Sequence, residues 1–487
     1  MEKNTATSLK PLLALLAGPT LFLLILLVNP LQLEILPNRV LAVGVWMITW
    51  WITEAIPMPA VAIMPLVLFP LLGIAKISEA AAPYANEVVF LFMGGFMIGL
   101  GIEKWNLHRR IALSIVSLTG TGGDRIILGF ILSTGFISMW LSNTATTMMM
   151  YPIAASVISV VFAKHPDGKG ARNFALCIML AIAYASNFGG VGTIIGTPPN
   201  VAYVSFISKK FGYDIPFFSW MVVSFPVALC LLLSLYVVLI RMFPNKLVAD
   251  REMGNMIQTE LRSLGPISLP EKRVLVIFLT TAFLWIFRDL LNKLELFKLD
   301  DNMIAVFGAL LMFIVPAGNQ QAPQEKILSW QDTSKMAWGI LLLFGGGITL
   351  AAALEKAGLI GMLGNWLAGF SGTSLVLLIL VIATLSIFIS EVMSNVAQVI
   401  VFAPVVTGIA TAIGADPLAL GLPMTLAASC ASMMPMGTPP NAIVFSSGHI
   451  RLKDMIRVGL VMNLISILLI VLSAYYILPQ VMRLIAD

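Results

Sequence analysis

Two short polar motifs, each present twice, interrupt long apolar stretches of the 487-residue chain. Ser-Asn-Thr lies at 142–144 and Ser-Asn-Val at 394–396, and Gly-Thr-Pro-Pro-Asn lies at 196–200 and again at 437–441. Hydroxyl and amide oxygens are ligands for hard cations, and hydroxyl and amide hydrogens are donors for a carboxylate. The motifs therefore predict a site that binds a cation and an anion together.

Each Pro-Pro pair predicts a broken helix. Proline inside a helix removes a backbone hydrogen bond and clashes with the preceding turn, at a cost of about 3 kcal/mol. We expect unwound segments at 193–200 and 436–441, called the first and second breaks. Unwound carbonyls can coordinate a cation, and the N-termini of the half-helices can face an anion. The simplest arrangement has two cation sites flanking one central substrate.

The motifs contain no Lys, Arg or His, so bound cations would supply most of the positive charge for an anion. The anion would then bind well only after the cations. Glu391 precedes the second Ser-Asn segment and is a functional candidate, because an intramembrane acid is costly. Two interpretations stay open: a direct cation or proton role, or hydrogen bonds to backbone within its own hairpin.

The duplicated motifs belong to an internal repeat. Phe92 of Phe-Met-Gly-Gly corresponds to Phe344 of Phe-Gly-Gly-Gly, and 344 minus 92 is 252; 394 minus 142 is also 252. The Gly-Thr-Pro-Pro-Asn copies differ by 437 minus 196, or 241, which fits a shorter loop in the second half. The span 336–354 is the fifth predicted crossing after 88–103, and this odd displacement makes the copies antiparallel. Antiparallel repeats with matching broken helices are typical of secondary transporters.

Composition places this repeat in a membrane. The chain is 59% apolar and 11% charged, which excludes a soluble globular domain. A transmembrane helix needs roughly 20 apolar residues. We therefore predict an all-α polytopic membrane protein with about eleven transmembrane helices, at 11–29, 40–53, 58–75, 88–103, 174–208, 217–240, 274–292, 301–318, 336–354, 417–447 and 458–478. The remaining apolar stretches, 126–162 and 371–410, are predicted re-entrant hairpins with the Ser-Asn segments at their tips.

Charge predicts the orientation. With the N-terminus in the cytoplasm, twenty Lys and Arg fall on the cytoplasmic side and nine on the opposite side, which favours a cytoplasmic N-terminus and an outside C-terminus. The net charge of +5 then reflects this bias rather than a surface for nucleic acid. The longest polar loop, 241–273, is predicted to be a solvated cytoplasmic connector.

The paired tips and breaks resemble those of the divalent anion/sodium symporter family, the di- and tricarboxylate carriers. The resemblance covers nearly the whole chain from the second span onward. It implies a multi-pass protein of the cell (inner or plasma) membrane that forms a homodimer. In each protomer a transport domain would move like an elevator against a scaffold domain, and sodium would be the transported cation.

The resemblance also implies a division of the chain and a set of site residues. The divisions are 1–87 (N-terminal spans, mostly scaffold), 88–216 (first-repeat transport elements), 217–335 (scaffold spans and cytoplasmic loop), 336–457 (second-repeat transport elements) and 458–487 (last span). The sodium ligands would be Ser138, Ser142, Asn143 and Gly196 in the first site, and Ser390, Met393, Asn395 and Gly437 in the second. The substrate would contact Asn143, Thr144, Thr197, Pro198, Asn395, Val396, Thr438 and Pro439.

Val396 departs from the family, which often has Thr there, and this leaves the preferred anion open among succinate, malate, fumarate and citrate. The predicted function is sodium-coupled symport. The alternative of the same fold is a sodium-independent exchanger or a proton-coupled carrier. An intramembrane enzyme is disfavoured, because the three His and three Cys are too scattered to form a catalytic or metal site. A channel would need the two hairpins to form a continuous pore.

Overall fold

The computed structural model describes residues 9–164, 168–245, 251–295, 298–318, 324–359, 362 and 374–486. Helices and their connections make up these residues, and ten helical segments among them are long and apolar enough to cross a membrane. Two of the ten, Asn143–Lys164 and Asn395–Ala412, are arms of the predicted hairpins. The prediction of an all-α polytopic membrane protein is confirmed.

The helices of the first half follow the repeat closely. They are α1 (Leu9–Val28), α2 (Ile35–Thr53), α3 (Met58–Ala62), α4 (Pro65–Leu71), α5 (Ile77–Ala81), α6 (Glu87–Lys104), α7 (Leu107–Thr119), α8 (Gly123–Ser138), α9 (Asn143–Lys164), α10 (Lys169–Gly190), α11 (Pro198–Phe211) and α12 (Phe217–Met242). The predicted span 58–75 is divided between the short helices α3 and α4.

The second half repeats the helix boundaries. Its helices are α13 (Arg251–Ser263), α14 (Leu269–Asn292), α15 (Asp301–Ile314), α16 (Trp338–Lys356), α17 (Leu375–Ser390), α18 (Asn395–Ala412), α19 (Pro417–Ala428), α20 (Pro439–Phe445), α21 (Leu452–Tyr476) and α22 (Leu478–Ala486). The ends of α6 and α16, the ends of α8 and α17, and the starts of α9 and α18 are each 252 residues apart. The repeat in the sequence is therefore a repeat of helices.

Each hairpin consists of two antiparallel arms. In the second, Ser390 of α17 bonds Asn395 of α18 and Ser386 bonds Gln398, so the pairs run in opposite directions along the two helices. In the first, Asp124 at the start of α8 bonds Asn245, and the carbonyl of the neighbouring Pro244 accepts from Asn173 near the start of α10. The starts of α8 and α10 therefore lie close together. Because only residues 165–168 separate the end of α9 from α10, the start of α8 and the end of α9 lie at the same end of the hairpin. Residues 371–373 of the predicted second hairpin lie outside the described residues.

The breaks differ from the sequence prediction in their position. The first is non-helical at 191–197 and the second at 429–438, rather than at 193–200 and 436–441. The Pro-Pro pairs do not lie in the unwound segments; they begin the following helices α11 and α20. Proline is tolerated there because its missing N–H would have no partner in the helix's first turn.

Two ion pairs show that the repeats are inverted. At the end of α6, Lys104 Nζ lies 3.0 Å from Asp332 Oδ2, six residues before α16 begins. At the end of α16, Lys356 Nζ lies 3.5 Å from Glu79 Oε2, eight residues before α6 begins. Each helix therefore ends beside the start of the other. This arrangement makes α6 and α16 antiparallel, as the count of crossings predicts.

The polar loop 241–273 is more structured than predicted. It contains the amphipathic helix α13, which packs on α7: Gly254 faces Thr121 closely, and Arg109 Nη2 of α7 lies 2.6 Å from Glu260 Oε2. Arg110 bonds Glu271 at 2.7 Å. The prediction of a solvated connector did not include this helix, one face of which is exposed while Glu260 pairs with Arg109 of α7.

Candidate cation and substrate site

The two tips and the two breaks border one cavity of about 860 Å³. It brings together most of the site residues predicted from the sequence: Ser142, Asn143, Thr144, Thr197, Pro198, Met393, Asn395, Val396, Gly437, Thr438 and Pro439. The predicted ligands Ser138 and Ser390 lie behind the tips, each bonded to the tip asparagine of its own half. Gly196 lies behind the first tip. The predicted residues of both halves thus lie around one space.

An oxygen cluster lies behind the first tip. Ser138 Oγ is 2.7 Å from Asn143 Oδ1 and 2.7 Å from the Ser186 carbonyl oxygen. Asn143 Oδ1 is also 3.1 Å from the Ser186 carbonyl oxygen and 3.2 Å from that of Gly196. The Asn143 amide can turn either end to this cluster: its nitrogen would donate to oxygens around it, whereas its oxygen leaves four oxygens facing one another with only the one hydrogen of the Ser138 hydroxyl among them. A cation placed among them would satisfy all four, because hard cations prefer oxygen ligands.

A glycine makes this cluster compact. A Cβ atom on Gly190 would lie 2.3 Å from Asn143 Oδ1 and 3.1 Å from the Gly196 carbonyl oxygen. Any side chain at position 190 would therefore push the tip and the first break apart. The glycine lets the end of α10 approach both of them.

The second half repeats the cluster with one changed residue. Ser390 Oγ lies 2.6 Å from Asn395 Oδ1 and 2.5 Å from the Ala428 carbonyl oxygen. Ala428 takes the place of Ser186, at an offset of 428 minus 186, or 242. Beside it, a Cβ on Gly437 would meet Glu391 Oε2 at 3.2 Å and the Ser390 carbonyl oxygen at 3.5 Å. The second break thus lies close to the end of α17 that leads into the second tip.

Helix N-termini face the cavity from both halves. α9 begins at Asn143, α11 follows Thr197 and α18 begins at Asn395, and these three residues all border the cavity. Helix N-termini carry unpaired N–H groups and a partial positive charge, which suit a carboxylate. The described residues of the wall include no Lys, Arg or His, and one acid, Glu54. Positive potential in the cavity therefore comes from helix ends and from any bound cation.

Glu391 stabilises the second break. Its carboxylate accepts hydrogen bonds from the backbone N–H groups of Ser432, Met433 and Met434 at 2.8, 2.8 and 2.9 Å, and from Asn463 Nδ2 at 2.7 Å. The partners lie in the break and on α21, so the expectation of bonds within the hairpin is corrected. Three of these donors bond Oε1 and one bonds Oε2, so the carboxylate joins the second break to α21.

Sequence reasoning missed five residues of this region, namely Ser186, Asn187, Gly190, Ala428 and Asn463. One signal was available for two of them, because 186–187 is a further Ser-Asn pair inside an apolar run. Ala428 acts through its carbonyl, which any residue type supplies. No sequence signal marks Asn463 as the partner of Glu391.

Inverted repeats around a polar cavity, with unwound breaks, define a secondary transporter. The chain belongs to the family described as the sodium:sulfate symporter transmembrane region, which matches residues 6–482. It is 39% identical over 488 residues to the sodium-dependent dicarboxylate transporter SdcS of Staphylococcus saprophyticus, covering 99% of this chain and 94% of that one. It is 40% identical to SdcS of Staphylococcus aureus strain USA300, with the same coverage.

Two solved structures resemble the fold. MtrF of Neisseria gonorrhoeae aligns with a TM-score of 0.55 at 12% identity, covering 85% of this chain and 83% of its own. The YdaH transporter of Alcanivorax borkumensis aligns with a TM-score of 0.51 at 14% identity, covering 85% and 88%. At these identities the likeness concerns the fold alone, and it agrees with an all-helical transporter.

Proposed function

We propose that this protein is a sodium-coupled symporter that carries a di- or tricarboxylate, such as succinate, malate, fumarate or citrate, into the cytoplasm. The observation that carries the proposal is the oxygen cluster around Asn143, which lies directly behind a cavity bordered by helix N-termini. The names of the SdcS relatives support sodium as the cation and a dicarboxylate as the anion.

Coupling follows from the charges. The described cavity wall has no basic side chain, so a dicarboxylate entering alone would meet helix ends and neutral amides. Two unit charges 4 Å apart attract by about 4 kcal/mol at an effective dielectric constant near 20. A sodium ion in each cluster therefore favours anion binding, and the anion favours retention of the sodium ions. The same attraction disfavours movement of the sodium ions or of the dicarboxylate alone.

The proposed sodium sites are Ser138, Ser142, Asn143 and Gly196 in the first half, and Ser390, Met393, Asn395 and Gly437 in the second. The Ser186 and Ala428 carbonyls are added to these ligands on the distances above. The substrate would contact Asn143, Thr144, Thr197 and Pro198 from one half, and Asn395, Val396, Thr438 and Pro439 from the other.

The proposed conformation is open to the cytoplasm. The cavity wall includes the connection between α2 and α3 and the start of α16. The bias of Lys and Arg would place both on the cytoplasmic side, with the N-terminus inside and the C-terminus outside. The resemblance to carriers of this family supports a homodimer and an elevator-type movement of the tips and breaks against a scaffold.

Uptake into proteoliposomes tests the function. Labelled succinate and citrate are supplied outside, with an inward sodium gradient or with choline replacing sodium. We expect sodium-driven accumulation that stops in choline. Uptake unchanged in choline would overturn sodium coupling; acceleration by internal succinate alone would identify an exchanger, and acceleration by an inward proton gradient a proton-coupled carrier.

A further inference from the structure

We infer that Asn187 carries a hydrogen-bond relay from the first cation cluster to the hydroxyl of Thr438 in the second half, so that a cation behind Asn143 prepares Thr438 to donate to the substrate. This inference rests on the proposed function, because it explains how cation and anion binding are linked. It concerns a positioning residue that borders the cavity and whose side chain bonds Asn143 on one side and Thr438 on the other.

Asn187 connects the two halves of the protein. It lies in the last turn of α10, only 1% exposed. Its Nδ2 lies 3.0 Å from Thr438 Oγ1 and 3.3 Å from Asn441 Oδ1, while its Oδ1 lies 3.5 Å from Asn143 Nδ2. A continuous line of side chains therefore runs from the first tip through the end of α10 to the second break.

With a cation in the first cluster, every amide in this line has one orientation. Asn143 Oδ1 faces the cation and the oxygens around it, so Asn143 Nδ2 points to Asn187 Oδ1. Asn187 Nδ2 then donates to Thr438 Oγ1, which also accepts from the Asn441 backbone N–H at 3.4 Å. Two donors occupy the Thr438 oxygen, so its own hydrogen is left to donate into the cavity that Thr438 borders.

Without a cation, the oxygens behind the tip favour the opposite orientation of the first amide. The Nδ2 atom of a turned Asn143 lies 2.7, 3.1 and 3.2 Å from Ser138 Oγ, the Ser186 carbonyl and the Gly196 carbonyl, and its two hydrogens are shared among these three acceptors. Its Oδ1 then faces Asn187 Oδ1, and two acceptors in contact repel, so Asn187 turns as well. Thr438 now donates to Asn187 Oδ1, and its hydrogen is withdrawn from the cavity.

The cation-free arrangement leaves one unfavourable contact between two asparagines of the relay. A turned Asn187 brings its Oδ1 against Asn441 Oδ1, over the 3.3 Å that a hydrogen bond otherwise spans. A buried acceptor without a donor is unfavourable. The cation-bound orientation is therefore the one in which all three asparagines are satisfied, which links cation binding to the state of Thr438.

The repeat gives this relay to one half only. The residue corresponding to Asn187 is Ser429, because 429 minus 187 is 242, the same offset that relates Ser186 to Ala428. Ser429 is buried, and its Oγ makes no hydrogen bond among the described residues. Its side chain is too short to bridge the halves. Ser429 thus offers a matched control at the equivalent position.

The test compares Asn187→Ser with Ser429→Ala in purified protein in lipid nanodiscs. Sodium-induced stabilisation is measured first as the Tm difference between sodium and choline chloride, without dicarboxylate. The succinate Kd is then measured by calorimetry in low and saturating sodium. We expect Asn187→Ser to keep the Tm shift, while the factor by which sodium tightens succinate falls roughly fivefold or more. Ser429→Ala should keep the wild-type factor.

Asn187→Asp provides a second test if the serine variant folds poorly. A carboxylate cannot donate, so Thr438 must donate to it, and succinate should bind weakly at every sodium concentration. If sodium tightens succinate binding to Asn187→Ser by the full wild-type factor, the relay is overturned. Loss of the sodium-induced Tm shift in that variant would also overturn it. Wild-type protein whose succinate affinity ignores sodium would instead overturn the proposed function.

Discussion

Phe92 and Phe344 occupy equivalent positions in the two repeats and contact each other, with ring centroids 5.5 Å apart and planes at 75°. A residue meets its own copy only where a twofold axis passes between them. The pseudo-twofold axis of the inverted repeat therefore runs between these rings, in the α6–α16 contact. Because the halves are related in this way, each site residue has an internal counterpart against which its role can be measured.

The cation clusters are tested by Ser138→Ala and Ser390→Ala. Each substitution removes the hydroxyl that lies between a tip asparagine and a carbonyl at the end of a helix. Loss of one such partner costs about 1–3 kcal/mol, so the sodium concentration for half-maximal uptake should rise about tenfold for each variant. Sodium titrations of labelled succinate uptake measure this change.

Ser133→Ala is the control for the first cluster. Ser133 is also buried on α8, but its hydroxyl bonds the Phe130 carbonyl of its own helix at 3.3 Å. Its sodium titration should match that of the wild type. If Ser138→Ala behaves like Ser133→Ala, the first sodium site is wrongly assigned.

Glu391→Gln should affect stability rather than pH dependence. A glutamine presents an NH₂ group to a shell of four donors that now bond the carboxylate, so at least one N–H is left unpaired. The expected loss is about 1–3 kcal/mol, visible as a lower Tm in a thermal melt. Uptake by the folded variant should keep the pH profile of the wild type. A changed pH profile at unchanged Tm would favour the proton-coupled alternative.

Val396→Thr tests the substrate preference. Thr144 and Val396 are equivalent and both border the cavity, so the hydroxyl that Thr144 offers is missing on the opposite side. Adding it should change the ratio of succinate to citrate uptake by about tenfold, which corresponds to about 1.4 kcal/mol between the two anions. Thr144→Val removes the other hydroxyl and should change the ratio too. An unaltered ratio in both variants would exclude these positions from the substrate site.

The sequence contains enough information to predict the repeat, the tips and the breaks, because each is written in residue types at constant offsets. For example, Ser138 and Ser390 are 252 residues apart, and each bonds the tip asparagine of its own half. The position of the Pro-Pro pairs was predicted less well. The cost of proline in a helix identifies the break, but proline at a helix start carries no such cost.

The residues that link the halves could not be predicted. Asn187 acts through Thr438, 251 residues away, and no offset of the repeat relates the two. The carbonyls of Ser186 and Ala428 contribute main-chain atoms, which leave no trace in residue type. The helix α13 within the loop 241–273 pairs Glu260 with Arg109, and this partnership arises only once α7 and α13 pack together.

Thiol labelling tests both the orientation and the open side of the cavity. Met436 in the second break is 70% exposed, whereas its counterpart in the first break, Ile195, is 6% exposed. In a Cys230→Ala background, where the remaining Cys177 and Cys430 are buried, Met436→Cys should react with a membrane-impermeant maleimide supplied from the cytoplasmic face. Ile195→Cys should stay unlabelled from that face.

Sodium and succinate together should slow the reaction at position 436, because both would fill the space beside it. Labelling of Met436→Cys from the outside alone would reverse the proposed orientation, since the same cavity would then open away from the cytoplasm.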